Sequence, residues 1–241
     1  MNEPQPLGKL YLIPTTLGDT SALEVIPLSV KKVIELIDDY IVENEKTARR
    51  SIKAISPGKS QPKLKIKLLN KYTDEQELPS YLDPCFEGVS VGLLSEAGVP
   101  GVADPGADVV KIAHQKGIQV VPLVGPSSIL MAIMSSGMNG QNFAFNGYLP
   151  IEQKQRKMEL KRLEKLSYET GQSQLFIETP YRNDKMLKDI VNTVHKNTYV
   201  CVACDITLPS EYILTKQASF WKANLPDLHK RPAIFIIHKG L

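Results

Sequence analysis

Leu93 to Gly106, reading Leu-Leu-Ser-Glu-Ala-Gly-Val-Pro-Gly-Val-Ala-Asp-Pro-Gly, sets glycines, acids and prolines directly after an apolar run, Val89 to Leu94. Its glycines let a ligand approach bare backbone. Pro100 and Pro105 carry no N–H, so the segment lacks the row of donors that cradles a phosphate. The chemistry it suits is contact with a flat, mostly uncharged ligand. A second segment, Gly125-Pro126-Ser127-Ser128, follows the run Gln119–Val124. Its serines can open a helix, offering hydroxyls and N–H groups to a carboxylate or ribose. Three further segments place acids beside hydroxyls or basic groups: Glu43–Arg50, Glu178-Thr179-Pro180-Tyr181-Arg182, and Asp205 to Glu211. Each also has a plainer reading as a helix cap or a solvated helix start.

The elements that must position these residues alternate strand and helix almost throughout, the βαβα signature of a parallel or mostly parallel sheet. In the first half the spacing predicts strands Lys9–Pro14, Tyr40–Val42, Lys67–Leu69, Val89–Leu94 and Gln119–Val124, with helices Pro27–Ile37, Thr47–Ile55 and Ala107–His114. Asp104 is placed to cap the last helix, Pro105 suits its first position and Gly117 its end. After Gly125 come a helix Ser127–Ser136 and strand Phe143–Tyr148. A charged helix Glu152–Leu166, strand Gln174–Glu178, helix Asn183–His195, and strands Tyr199–Cys204 and Ala233–His238 complete the pattern. The expected architecture is two α/β domains, residues 1–123 and 124–241, with a ligand cleft between them. Parallel strands joined by right-handed crossovers carry their carboxyl ends on one edge, so the two glycine-bearing loops should flank one crevice there.

Composition narrows the function classes. The chain has 241 residues, 42% hydrophobic and 23% charged, which is enough to bury a proper core. No apolar run approaches the ~20 residues that cross a bilayer, and Met1–Leu7 lacks the basic-then-apolar pattern of a secretory signal, so a cytoplasmic protein with no membrane partner is expected. Three cysteines cannot build a disulfide framework. Cys201 and Cys204 stand in a strand-like run where i and i+3 face opposite sides, which points to small buried residues rather than a metal pair, and no metal is expected. The net charge of +3 permits a nucleic-acid partner without demonstrating one. The basic helix Gln153–Lys165 has apolar residues at helical spacing and reads as a solvated face over a core stripe.

These segments together resemble the tetrapyrrole-methylase superfamily of S-adenosylmethionine-dependent methyltransferases, and within it the bacterial 16S ribosomal RNA cytidine 2′-O-methyltransferase branch. Ser95-Glu96-Ala97-Gly98-Val99-Pro100…Ala103-Asp104-Pro105-Gly106 stands where that branch has Ser-Asp-Ala-Gly-Thr-Pro…Ser-Asp-Pro-Gly. Val121-Pro122-Leu123-Val124-Gly125-Pro126-Ser127-Ser128 matches its Val-Pro-Leu-Pro-Gly-Pro-Ser-Ala. Gly147-Tyr148-Leu149-Pro150 and Glu178-Thr179-Pro180-Tyr181-Arg182 match its Gly-Phe-Leu-Pro and Glu-Ser-Pro-His-Arg.

The resemblance implies a homodimeric enzyme with S-adenosylmethionine bound by Gly98, Val99, Val102, Ser127, Ser128, Tyr148, Thr179, Pro232 and Ala233. It implies RNA of the small ribosomal subunit as acceptor, methylated on a ribose 2′-hydroxyl. Glu43, Asp205 and Glu211 are then the candidate bases, with Arg49 and Arg182 meeting phosphate. The acceptor side departs from the branch. Pro14-Thr15-Thr16-Leu17-Gly18-Asp19 replaces Thr-Pro-Ile-Gly-Asn-Leu-Gly-Asp, Asn44 replaces an acid, and Asp205–Glu211 lacks a histidine. A tetrapyrrole or protein acceptor, or a donor-binding RNA or assembly factor that no longer catalyses, therefore stay open as alternatives.

Overall fold

Strands β2 (Asp39–Val42) and β4 (Val91–Leu94) are buried along their whole length, the mark of strands covered on both faces. The computed structural model, which describes residues 6–240, places them in an all-parallel sheet with β1 (Leu10–Ile13), β3 (Lys65–Leu68) and β5 (Val120–Pro122) in the order β3-β2-β4-β1-β5. Ile13, Tyr40, Val42 and Leu94 pack on one side against α1 (Ala22–Val25), α2 (Leu28–Leu36) and α3 (Glu45–Ile55). Leu10, Ile41, Val91 and Leu93 pack on the other against α4 (Asp83–Phe86) and α5 (Gly106–Gln115). Asp104 accepts from the Gly106 N–H at 2.9 Å but stands one residue ahead of the cap position, which Pro105 takes instead of the first helical position of α5.

The chain divides into two units, the first ending at Ser127 and the second beginning at Ser128. The second opens with α6 (Ser128–Ser136) and continues through β6 (Phe143–Tyr148), α7 (Gln153–Thr170), β7 (Ser173–Ile177), α8 (Asn183–Thr193) and β8 (Tyr199–Cys204). It ends with β9 (Tyr212–Gln217), α9 (Ala218–Trp221) and β10 (Ala233–His238). Its sheet runs β6-β7-β10-β8-β9, and only β6 and β7 pair in parallel. This corrects the expectation of a mostly parallel arrangement in the second half. The cause is β9, whose Tyr-Ile-Leu-Thr-Lys-Gln carries a weak apolar signal. It returns from β8 through the short turn at 205–211, and a connection that short forces antiparallel pairing.

Val200, Val202 and Cys204 face the core formed with α7, α8 and Trp221, while Cys201 is buried outside that cluster. The alternation is the one expected for the strand. Helix α7 extends beyond Leu166 to Thr170, where Gly171 at φ +66° closes it, and Glu152 caps rather than begins it. Among the described residues no helix is long and apolar enough to cross a membrane.

Candidate active site

Strand order decides which loops become neighbours. In the first unit β2, β4, β1 and β5 lie side by side and in register, with Val42, Leu94 and Ile13 paired in turn. Four exits therefore share one carboxyl edge, the ligand-binding edge of a parallel sheet: Glu43, the loop from Ser95 to Asp104, the segment from Pro14 to Thr20, and the loop from Leu123 to Ser127. The two glycine-bearing loops are separated by the exit of β1, which ties them together. The Thr15 N–H donates to the Gly98 carbonyl at 2.9 Å, and its hydroxyl donates to the Ser95 carbonyl at 3.2 Å. On the other side a Cβ on Gly125 would stand 2.2 Å from the Pro14 ring, so no other residue fits there without displacing it.

Gly98 sits at φ +75°, and a Cβ would come within 3.0 Å of both Leu17 Cδ2 and the Pro126 carbonyl oxygen. Bare backbone is thus held where the two loops meet. The Ser95 hydroxyl donates to the Gly98 carbonyl, fixing the turn from beneath. Further along, Asp104 Oδ1 accepts from the Gly101 N–H at 2.8 Å as well as from Gly106. This closes a turn in which Ala103 adopts φ +61°, a left-handed conformation that costs a non-glycine residue of order 1–3 kcal/mol. Val99 is half-buried and Val102 exposed. Ser127 ends the unit.

Glu43 leaves β2 beside this loop. Burial, then the charges of Asp104 and Glu96, push its carboxyl above the ordinary glutamate value. Asp104 is itself raised by burial, partly offset by the two backbone donors. Asn44, the residue that replaces an acid, caps α3 by accepting from the N–H groups of Lys46 and Thr47 at 3.0 and 3.2 Å. Arg49 does not face solvent alone: it pairs with Glu45 at 2.7 Å and donates to the Gln61 carbonyl. Beside them a cleft of about 260 Å³ opens between the Pro14–Thr20 segment, α3 and Glu96. Thr16, Asp19, Thr47, Arg50, Ser51 and Glu96 line it, and the Thr47 hydroxyl donates to Glu96 Oε1 at 2.6 Å.

In the second unit the predicted residues gather at one end of the sheet. Tyr148 pairs with Ile177, Ala233 with Cys204, and Ile234 with Ile177, so Tyr148, Thr179, Asp205, Pro232 and Ala233 share that end. Tyr148 is exposed beyond a break in strand register at which Gly147 takes φ +62°. Glu178 Oε1 accepts from the Thr179 N–H and from Arg182, both at 2.6 Å, so Arg182 is tethered to its own strand end. Asp205 is buried and accepts from Arg231 at 2.7 Å and from the Ser210 hydroxyl at 2.8 Å, while its N–H donates to the Pro232 carbonyl. Glu211 accepts from the Thr207 N–H at 2.9 Å. Asp205 and Thr207 both adopt left-handed φ, +51° and +73°. Ser128 begins α6.

Two supporting arginines are not evident from sequence. Arg231 closes the turn at Asp205, although nothing in its surroundings, His-Lys-Arg-Pro, announces a partner. Arg156, on the helix expected to present a solvated face, is buried with Asp189. It donates to that carboxylate and to the carbonyls of Pro150 and Ile151, anchoring the segment that leaves Tyr148. Burial would raise Asp189, but hydrogen bonds from Gln153 and Arg156 outweigh it and hold the carboxyl below its usual range. One signal is present in the sequence, since Arg156 falls in register with Leu160 and Leu163 on the apolar stripe of α7.

No family model matches the chain. It is 28% identical over 245 residues to ribosomal RNA small subunit methyltransferase I of Buchnera aphidicola subsp. Schizaphis graminum, covering all of this chain and 81% of that protein. The protein of the same name from Vibrio cholerae is 27% identical, with 95% and 76% covered, and that from Escherichia coli O157:H7 is 29% identical, with 86% and 68% covered. Among solved structures the methyltransferase CobJ superposes with a TM-score of 0.65 at 15% identity, over 97% of this chain and 95% of that one. The cobalt precorrin-4 methyltransferase CbiF gives 0.60 at 15% identity, over 95% and 94%. The α/β fold is therefore the one seen in tetrapyrrole methyltransferases, and the relatives in sequence make the chain a methyltransferase.

Proposed function

We propose that this methyltransferase uses S-adenosylmethionine to methylate a ribose 2′-hydroxyl in RNA of the small ribosomal subunit. The observation that carries the reading is the shared carboxyl edge of the first sheet, where the Ser95–Asp104 loop adjoins a carboxyl, Glu43, that burial and the charges of Asp104 and Glu96 raise above the ordinary glutamate value. The donor fits this chain's residues. It brings no phosphate, so a loop interrupted by Pro100 and Pro105 is no obstacle. Gly98 has φ +75° and a Cβ would crowd Leu17 and Pro126, so only glycine lets the two loops meet this closely at the carboxyl edge. Gly98, Val99, Val102, Ser127, Ser128, Tyr148, Thr179, Pro232 and Ala233 are the residues that the family resemblance assigns to it. When bound, its sulfonium supplies an electrophilic methyl group.

What remains for the protein is to align the acceptor and remove a proton. Orientation of this kind is worth about 7–11 kcal/mol. A ribose hydroxyl is a poor nucleophile until its proton leaves, and a positioned carboxylate takes it. Of the three candidate bases, Asp205 is committed to Arg231 and Ser210, and Glu211 to the Thr207 backbone. Glu43 has no such partner on its carboxyl among the described residues and is raised by burial and like charge, the direction that makes a carboxylate a better proton acceptor.

The acceptor chemistry follows from the cleft beside Glu96. At about 260 Å³ it lies below the ~300–1,000 Å³ of drug-sized sites, and acids and hydroxyls line it. Its polar lining, with Arg50 beside the acids and hydroxyls, suits a nucleotide unit. The sequence relatives at 27–29% identity also favour RNA over the precorrin named for CbiF, a structural neighbour at 15%. The test is incubation with labelled S-adenosylmethionine and small ribosomal subunits from cells lacking this protein. Label entering the subunit RNA supports the reading; donor binding with no transfer to that RNA overturns it.

A further inference from the structure

Helix α3 carries Lys46, Arg50 and Lys53 at i, i+4 and i+7, positions that fall on one helix face. All three are exposed, and none forms an ion pair among the described residues. Their neighbour Arg49 behaves differently, being bound to Glu45 and the Gln61 carbonyl. The opposite face of α3 is anchored by Ala48, Ile52 and Ile55, which are buried against the sheet, so the cationic row cannot rotate away from solvent. Arg50 also lines the cleft, and Thr47 holds Glu96 of the glycine-bearing loop across its mouth. The row therefore borders the space reached from the carboxyl edge of the sheet.

We infer that the Lys46–Arg50–Lys53 face of α3 is the tract that grips the phosphates of single-stranded RNA and feeds the acceptor nucleotide into the adjoining cleft. The inference rests on the RNA reading above and assigns the phosphate contact to Arg50 rather than Arg49. Unpaired cations bind the RNA backbone without regard to sequence. Asp19 and Glu96 repel phosphate, so they keep the backbone on the helix and accept from ribose or base donors inside the cleft. Helix α7 offers a contrast within the same chain. Its Lys161 is exposed and, like the α3 row, forms no ion pair among the described residues, but it does not line the cleft.

The experiment measures binding of the full-length protein to an end-labelled polyuridylate oligonucleotide across a salt series. Each phosphate that a cation neutralises on a single strand contributes about 0.7 to the slope of log K against log salt. The triple variant K46Q/R50Q/K53Q should therefore show a slope shallower by about 2 and bind at least tenfold more weakly. Arg50→Gln alone should reduce the slope by about 0.7, and Lys161→Gln should leave it unchanged. Unaltered melting temperature and donor affinity in the triple variant show that the fold is intact. Wild-type affinity and slope in the triple variant overturn the inference, even if the wild-type enzyme methylates subunit RNA. Loss of oligonucleotide binding in the variant, with no methyl transfer by the wild type, retains the tract and overturns only the function.

Discussion

Glu43 leaves the end of β2 with its carboxyl disfavoured as an anion by burial and by the charges of Asp104 and Glu96. In the folded chain it keeps its proton to higher pH than in the unfolded chain. Between those two values the folded state binds more protons, so stability falls as pH rises through that window. Glu43→Gln removes the penalty. Its melting temperature should exceed the wild type's near neutral pH, and the difference should vanish below the ordinary glutamate value; a gain of equal size at every pH contradicts the assignment. Methyl transfer by the same variant should fall about 10²–10⁴-fold, the span of general base catalysis, with donor affinity unchanged by calorimetry. The cysteines make the opposite kind of residue. Burial pushes Cys201 and Cys204 up to about 11, which leaves few thiolates to react at neutral pH. A disulfide reagent should find neither thiol in the native protein and all three cysteines after denaturation; rapid native labelling of Cys201 or Cys204 contradicts their burial.

Two elements hold the site. The Ser95–Asp104 loop depends on Gly98, where a Cβ would meet Leu17 and the Pro126 carbonyl and φ is +75°. Gly98→Ala should abolish donor binding measured by calorimetry while the protein still melts cooperatively, and unchanged affinity would remove this loop from the donor site. The end of β6 depends on Arg156. Asp189→Ala strands that buried guanidinium and should cost about 3–5 kcal/mol in denaturant unfolding, against no more than ~0.5 kcal/mol for Lys161→Ala on the same helix. Elements with a strong period were legible: β6, β8 and β10 fall where the apolar runs place them, and α3, α5 and α8 differ only at their ends. β9 was not, because its own apolar pattern is weak and only the short turn after β8 brings it into the sheet. The insertion of β1 between the two loops was not legible either, since strand order is decided by crossovers rather than by spacing along the chain. At the site, the glycine and proline chemistry of the loops could be read directly. The tethering of Arg49, Arg182 and Asp205 could not, because each partner is a side chain or carbonyl whose role only folding creates.

At the scale of the molecule, the chain pairs a doubly wound parallel unit with a mixed-sheet unit, and the residues expected to bind a donor occur in both. The first unit holds Glu43, the bare backbone at Gly98, the small acidic cleft and the cationic face of α3. The small net charge of +3 cannot steer RNA by itself, so local placement of cations has to do what total charge does not. Nucleoside mass spectrometry bears most directly on the whole account. Small-subunit RNA from cells lacking the protein would be incubated with the purified enzyme and S-adenosylmethionine, digested and analysed. The account predicts one new nucleoside whose added methyl lies on the ribose, formed by the wild type and lost with Glu43→Gln. A methyl on the base, or RNA left unmodified by an enzyme that binds the donor, contradicts it.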